Sequence, residues 1–190
     1  MEDQTSDKRS LILKAALDLI SENGFHGTPM SLVAQEANVG VGTIYRYFAS
    51  KEELINELYK EVKVNETKAV GRGYSEALPI RERFRQIWLN LAKYFLQHPK
   101  EFQFLEQYSN SPYITSLTKQ ESARLLEPIV GFFRYAQEQQ VIKDIPLEIL
   151  TSMVYGALVS LVKLHLAGNL VLDDQAMEIA INVSWDAVKR

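Results

Sequence analysis

The 190-residue chain contains no cysteine, which excludes disulfides and thiolate metal centres. It has three histidines, His26, His98 and His165, far apart and in no metal-spaced cluster. There is no nucleophile–base signature and no glycine-rich phosphate loop, so catalysis, a metal and a cofactor are not expected. Strand-like alternation, internal repeats and low-complexity tracts are also missing. The longest apolar run, around Met153–Leu166, is interrupted by Tyr155, Ser160, Lys163 and His165 and does not read as a membrane span. The N-terminus, Met1-Glu2-Asp3-Gln4, is polar and acidic, unlike a secretory signal. A reducing cytoplasm is the expected compartment.

A basic excess is missing too. The net charge is −3, and in the first fifty residues Lys8, Arg9, Lys14 and Arg46 face Glu2, Asp3, Asp7, Asp18, Glu22 and Glu36, a balance of −2. A non-specific phosphate binder is usually basic. Any DNA contact must therefore come from a local arrangement of cations and backbone donors.

What is present is helical spacing from end to end. Ser6 or Asp7 can cap a first helix in which Leu11, Ala15, Ala16, Leu19 and Ile20 recur on one face, and Gly24 can end it in the left-handed conformation. Thr28-Pro29 offers an N-cap and a first-turn proline for a second helix, with Ser31 as the rival cap. Asn38 can turn the chain, Gly40 or Gly42 opens a third helix over Thr43–Phe48, and Ser50-Lys51-Glu52-Glu53 is a capping box for a long fourth. Gly71-Arg72-Gly73 breaks the pattern. Pro79 starts a helix that Pro99 stops, residues 101–108 form a short aromatic helix, and further helices are expected over about 118–140, 146–168 and 173–189. The spacing predicts an all-α chain of about nine helices. A three-helix helix-turn-helix domain (1–50) is followed by a second helical region (51–190), with 51–73 as the connector.

Residues 24–51 carry the strongest signal. A short helix, a tight turn and a second short helix bearing small, hydroxyl, aromatic and cationic side chains can lay the second helix in a major groove. The residues are Gly24-Phe25, Thr28, Val33-Ala34, Gly42-Thr43-Ile44-Tyr45-Arg46-Tyr47-Phe48 and Lys51-Glu52-Glu53-Leu54. Taken together, residues 11–58 resemble the N-terminal domain of tetracycline-repressor-like (TetR family) transcriptional regulators.

Ile44 and Phe48, four apart, are expected to pack the third helix inward, leaving Thr43, Arg46 and Tyr47 outward. The Arg46 fork suits guanine O6 and N7. The resemblance implies phosphate contacts from the Tyr45 and Tyr47 hydroxyls, though Tyr45 also reads as half-buried packing. Lys51 can hold a phosphate at the start of the fourth helix, and Thr28 can do so from the second; each reads equally as simple capping. The expected DNA-contacting set is Thr28, Gly42, Thr43, Tyr45, Arg46, Tyr47 and Lys51. Two positions depart from the family pattern. Gly40 supplies no hydroxyl, and Val41 offers only apolar contact, for instance to a thymine methyl.

Residues 75–190 match no short motif, but they concentrate aromatics. Trp88, Phe104, Tyr108, Phe133 and Met153 are the expected cavity lining, with Gln107 and His165 as polar handles, although such stripes also make plain core. Leu150, Val154, Ala157, Leu158 and Leu161, with Ile179 and Val183 near the C-terminus, are expected to form a twofold four-helix dimer surface. The resemblance implies that residues 51–190 form a helical ligand-binding and dimerisation domain and that the chain is a ligand-responsive, homodimeric DNA-binding regulator, a repressor released from a palindromic double-stranded operator by a small effector, which the aromatic, largely uncharged lining suggests is lipophilic. The rival readings are a chromosome-organising DNA-binding protein with a protein partner and no small ligand, and a helical adaptor.

Overall fold

Helical spacing is realised along the whole chain. The computed structural model describes residues 2–190, with side chains from Lys8 onward, and among them there are ten helices and no strand. These are α1 (Glu2–Asn23), α2 (Met30–Glu36), α3 (Val41–Tyr47), α4 (Lys51–Val70), α5 (Ile80–Gln97), α6 (Pro99–Tyr108), α7 (Ser116–Leu125), α8 (Glu127–Glu138), α9 (Leu147–Leu166) and α10 (Asp174–Val188). One isolated antiparallel bridge joins Ile142 to Lys189.

The tenth helix comes from residues 118–140, expected as one element and found as two. Proline cannot donate to the ladder and its ring clashes with the carbonyl four residues back. The chain therefore breaks at Leu126 and restarts with Pro128 in the first turn of α8. Ser6 and Asp7, expected as caps, fall inside α1, and their side chains lie outside the described residues. The expected left-handed positions are found: Gly24 has φ 71° and Asn38 φ 51°. Gly27 is required for a different reason, because a Cβ there would run into the Asn23 carbonyl oxygen.

Contacts divide the chain into two compact units. The first comprises residues up to Val64 together with Lys100–Ser122. In it α1 packs on α2 and α2 on α3. Ile12, Ala16, Ile20, Val33, Ile44, Phe48 and Leu54 are all buried there. Arg9 of α1 pairs with Glu57 and Glu61, one turn apart on α4, at 2.7 and 3.0 Å. Such half-exposed pairs set register more than they add stability.

The second unit comprises Asn65–Pro99 and Ala123–Arg190, in which α9 packs on α5, α8 and α10, and α10 on α5. Phe84, Trp88, Phe95, Phe133, Leu150, Leu158, Val162 and Ile181 are buried here. Helix α9 is not a simple amphipathic helix, since it carries apolar residues on its outer face as well as its inner one. Ile149, Met153 and Leu164 are exposed by 53%, 61% and 44%, with Gly156, Ala157 and Ser160 between them. By length and composition α9 is apolar enough to cross a membrane, with mean hydropathy 1.6. Its inner face is nevertheless committed to protein, and the outer face is a stripe rather than a full circumference. Leu150 and Leu158, expected on the dimer surface, are therefore corrected: at 0% and 1% exposure they belong to the core of the chain itself.

Candidate nucleic-acid interface

The helix-turn-helix is built from the bottom of its core. Ile44 and Phe48, spaced one turn apart, are 0% and 1% exposed and fix the inner side of α3. Gly42 and Arg46 then lie opposite and are exposed. Tyr45 and Tyr47 flank the buried seam on either side at equal angular distance, so only neighbouring packing can decide between them. Tyr45 proves 52% exposed, whereas Tyr47 is half-buried, its ring 6.4 Å from that of Phe48. The expected outward pair is thus reversed. Thr43 is also half-buried, and Val41, at the first turn, is 41% exposed. Among the described residues nothing pairs with the Arg46 guanidinium, which stands free on an exposed face.

Two expected phosphate ligands have other occupations. Thr28 is fully buried, and its hydroxyl donates to the carbonyls of Gly24 (2.9 Å) and Leu19 (3.2 Å). Leu19 lies in the penultimate turn of α1 and Gly24 directly follows that helix, so the hydroxyl ties the α1–α2 connection to the end of α1 rather than capping α2 or meeting a phosphate. Pro29 takes the N-cap position of α2, and neither Thr28 nor Ser31 caps it. Lys51 donates to the Phe25 carbonyl, with its ammonium 4.3 Å from the Phe25 ring centroid. Burial holds this lysine below the usual lysine range, against the opposing pull of Glu52. The capping box forms with a shift. The Ser50 hydroxyl accepts the Glu53 N–H at 3.1 Å, while the Glu53 carboxylate accepts from Ala49, one residue before the cap, at 2.6 Å.

The loop after α6 braces this region, which no sequence motif announces. The Tyr113 ring stacks on Phe25 at 4.1 Å, and its hydroxyl meets His26 Nε2 at 2.6 Å. The Asn56 amide of α4 donates to the Tyr113 carbonyl and accepts the Thr115 N–H, both at 2.9 Å. Tyr108 of α6 is buried, its ring 6.3 Å from that of Tyr113, and burial raises its pKa.

Known proteins place the arrangement. The family profile described as bacterial regulatory proteins, tetR family, matches residues 12–58. A second, described as tetracyclin repressor-like, C-terminal domain, matches residues 79–189, more than half of the chain. The chain belongs to the TetR family. A helix-turn-helix-type transcriptional regulator from Haemophilus influenzae is 25% identical over all of both chains. The solved structure of a putative TetR-family regulator from Vibrio parahaemolyticus is 36% identical, with TM-score 0.82 over 96% of this chain and 99% of that one. A TetR-family regulator from Marinobacter aquaeolei superposes with TM-score 0.94 over the full length of both chains at 25% identity. This TetR-family protein is a DNA-binding helix-turn-helix transcriptional regulator, and the family and its relatives are regulators rather than enzymes.

The residues expected to line an effector cavity are not all gathered in one unit of this TetR-family chain. Trp88 and Phe133 are buried in the second unit, and the Trp88 indole N–H has no hydrogen-bond partner among the described residues. Phe104, Gln107 and Tyr108 sit on α6 in the first, with Gln107 exposed. Met153 is corrected to the surface stripe of α9. His165 is corrected as well: its Nδ1 accepts the Leu172 N–H at 3.1 Å and holds the α9–α10 connection. Of the expected dimer residues, Ile179 and Val183 are 57% and 64% exposed on α10, Ala157 is exposed, and Val154 and Leu161 are half-buried.

Proposed function

We propose that this regulator is a homodimeric repressor that reads a palindromic operator through α3 and is released by a small lipophilic molecule. The observation that carries the reading is the unpartnered Arg46 guanidinium on the exposed face of α3, beside Gly42, which lets a backbone come close, and the exposed Tyr45. Arg46 supplies the base contact, and Thr43, Tyr45 and Tyr47 supply hydroxyls to phosphates. Lys51 serves chiefly as a brace, with its remaining N–H groups available to a phosphate.

The dimer reading rests on the apolar stripe Ile149, Met153, Ala157 and Leu164 of α9 together with Ile179 and Val183 of α10. A contiguous exposed apolar face of this kind is costly in water and is relieved by a second copy. The effector reading rests on the buried aromatics of the C-terminal part and the unsatisfied Trp88 N–H. Residues 1–50 act as the reading head and 51–190 as the responsive body. Helix α4 contributes residues to both compact units, so a shift of its C-terminal half is carried along its own backbone.

The test is selection from a pool of randomised duplexes, followed by sedimentation of the complex. An enriched inverted repeat bound by two chains is the expected result, and no enrichment overturns the reading. Nile red, a neutral lipophilic probe, is then titrated with and without the selected operator. Linkage requires DNA to weaken dye binding by the factor by which dye weakens DNA binding; equal dye affinity in both removes the release mechanism.

A further inference from the structure

Three arginines occupy the start of α5, and among the described residues only one of them has a carboxylate partner. Arg85 pairs with Glu178 of α10. Arg81 donates to the Asn182 side-chain oxygen at 2.5 Å and lies 5.3 Å from the centroid of the Trp185 ring. Arg83 is 5% exposed, yet its hydrogen bonds all go to one neutral oxygen. Its Nε (2.8 Å) and Nη2 both donate to the Tyr74 hydroxyl. Its guanidinium carbon is 5.1 Å from the ring centroids of Tyr74, Phe132 and Tyr135 alike.

An arginine does not deprotonate in a protein, so this is a buried positive charge without a counter-charge among the described residues. Aromatic faces attract it, but rings alone are a weak replacement for water around a cation. The Nε–Nη2 edge is the edge that matches two carboxylate oxygens, one to each nitrogen. Here a single phenol oxygen occupies it. Tyr74 comes from the exposed stretch between α4 and α5, and Tyr135, another wall, is 41% exposed, so the cage opens at the surface. Gln86 and Asn90 hold the Arg72 carbonyl at 3.0 and 2.8 Å, and Gly73 follows with φ 66°. Tyr74 can therefore swing aside without unseating the base of its loop.

We propose that the Arg83 cage is a receptor for a small carboxylate with a flat apolar body, an aromatic acid being the best fit, and that the Tyr74 hydroxyl is a placeholder which the ligand displaces. A carboxylate is planar and returns two acceptors to the fork, while its ring stacks among the three aromatic walls. A tetrahedral, strongly hydrated phosphate would lose more solvation against the same walls. The site goes beyond the effector reading, since it is defined by charge, and its occupancy can be measured without DNA.

Calorimetric titration of sodium benzoate into the full-length protein is the test. One site per chain is expected, weakened roughly tenfold or more by Arg83→Lys, which keeps the charge and loses the fork. Tyr74→Phe keeps the ring and removes the competing oxygen, so it tightens binding, and benzoate raises its Tm more than that of the unsubstituted protein. If Arg83 were a saturated packing group, benzoate would leave the Tm of both proteins unchanged. No saturable benzoate heat up to about 10 mM overturns the proposal. Affinity unaltered by Arg83→Lys does the same, and inorganic phosphate binding as well as benzoate refutes the carboxylate class. None of these readouts involves the operator, so their failure is distinct from failure of the repressor reading.

Discussion

The Lys51 ammonium donates to the Phe25 carbonyl while lying over the Phe25 ring, which ties the first turn of α4 to the connection between α1 and α2. One side chain makes a charge-assisted hydrogen bond and a cation–π contact, and both are partly sheltered from water. Lys51→Met should therefore destabilise the protein by about 1–3 kcal/mol. Urea unfolding measures this. A variant as stable as the original, with operator affinity reduced uniformly over all sites, would instead make Lys51 mainly a phosphate ligand.

Arg46 presents the opposite case, because it is exposed and has no partner among the described residues. Arg46→Ala should leave stability within about 0.5 kcal/mol. It should cost about 1–3 kcal/mol of operator binding and relax discrimination at one base pair. Competition among operators varied at single positions would show this. A loss equal at every position would move Arg46 from base to phosphate.

Met153 and Val183 mark an exposed apolar face, whereas Leu158 lies beneath it at 1% exposure. Met153→Glu together with Val183→Glu should yield a folded monomer with weakened operator binding. Leu158→Ala should instead cost about 2–5 kcal/mol of unfolding free energy. Sedimentation and circular dichroism separate the two outcomes. A charged double variant that remains dimeric would place the interface elsewhere.

Arg85 holds the Glu178 carboxyl below its usual range, chiefly through their direct hydrogen bond. A carboxylate with a depressed folded-state pKa stabilises the fold above its unfolded-state pKa, and that contribution disappears as pH falls through the folded value. Both side chains are more than a third exposed, so screening limits the pair to less than about 1 kcal/mol. Glu178→Gln should therefore be slightly less stable than the parent at neutral pH. The gap should close in acid below the ordinary carboxylate range, and it should shrink in high salt. A gap independent of pH would show that the effect is packing and not charge.

Much of the molecule is legible without coordinates, for local reasons. Helical spacing of apolar residues, Gly24 and Asn38 in left-handed turns, and Ser50 ahead of Glu53 act within a few residues of themselves. They define the all-helical class and the helix-turn-helix, and the stretch from Gly24 to Leu54 points to the family. Pro128 was an equally local signal: a proline inside 118–140 splits that span into α7 and α8.

Tertiary structure decided what each polar group had left to offer. A hydroxyl at Thr28 can cap, or bind phosphate, or turn inward, and only the nearby carbonyls of Leu19 and Gly24 select the last. Tyr45 and Tyr47 are equivalent on a helical projection, and the packing beside Phe48 separates them. The apolar residues of α9 all look alike in sequence, yet Leu150 and Leu158 are core while Ile149 and Met153 face outward. The Arg83 cage draws on a loop, α5 and α8, positions up to 61 residues apart in the chain. Periodicity is a property of neighbours along the chain and so can be read from it. Whether a hydrogen bond or a charge is satisfied depends on neighbours in space, which only the folded chain brings together.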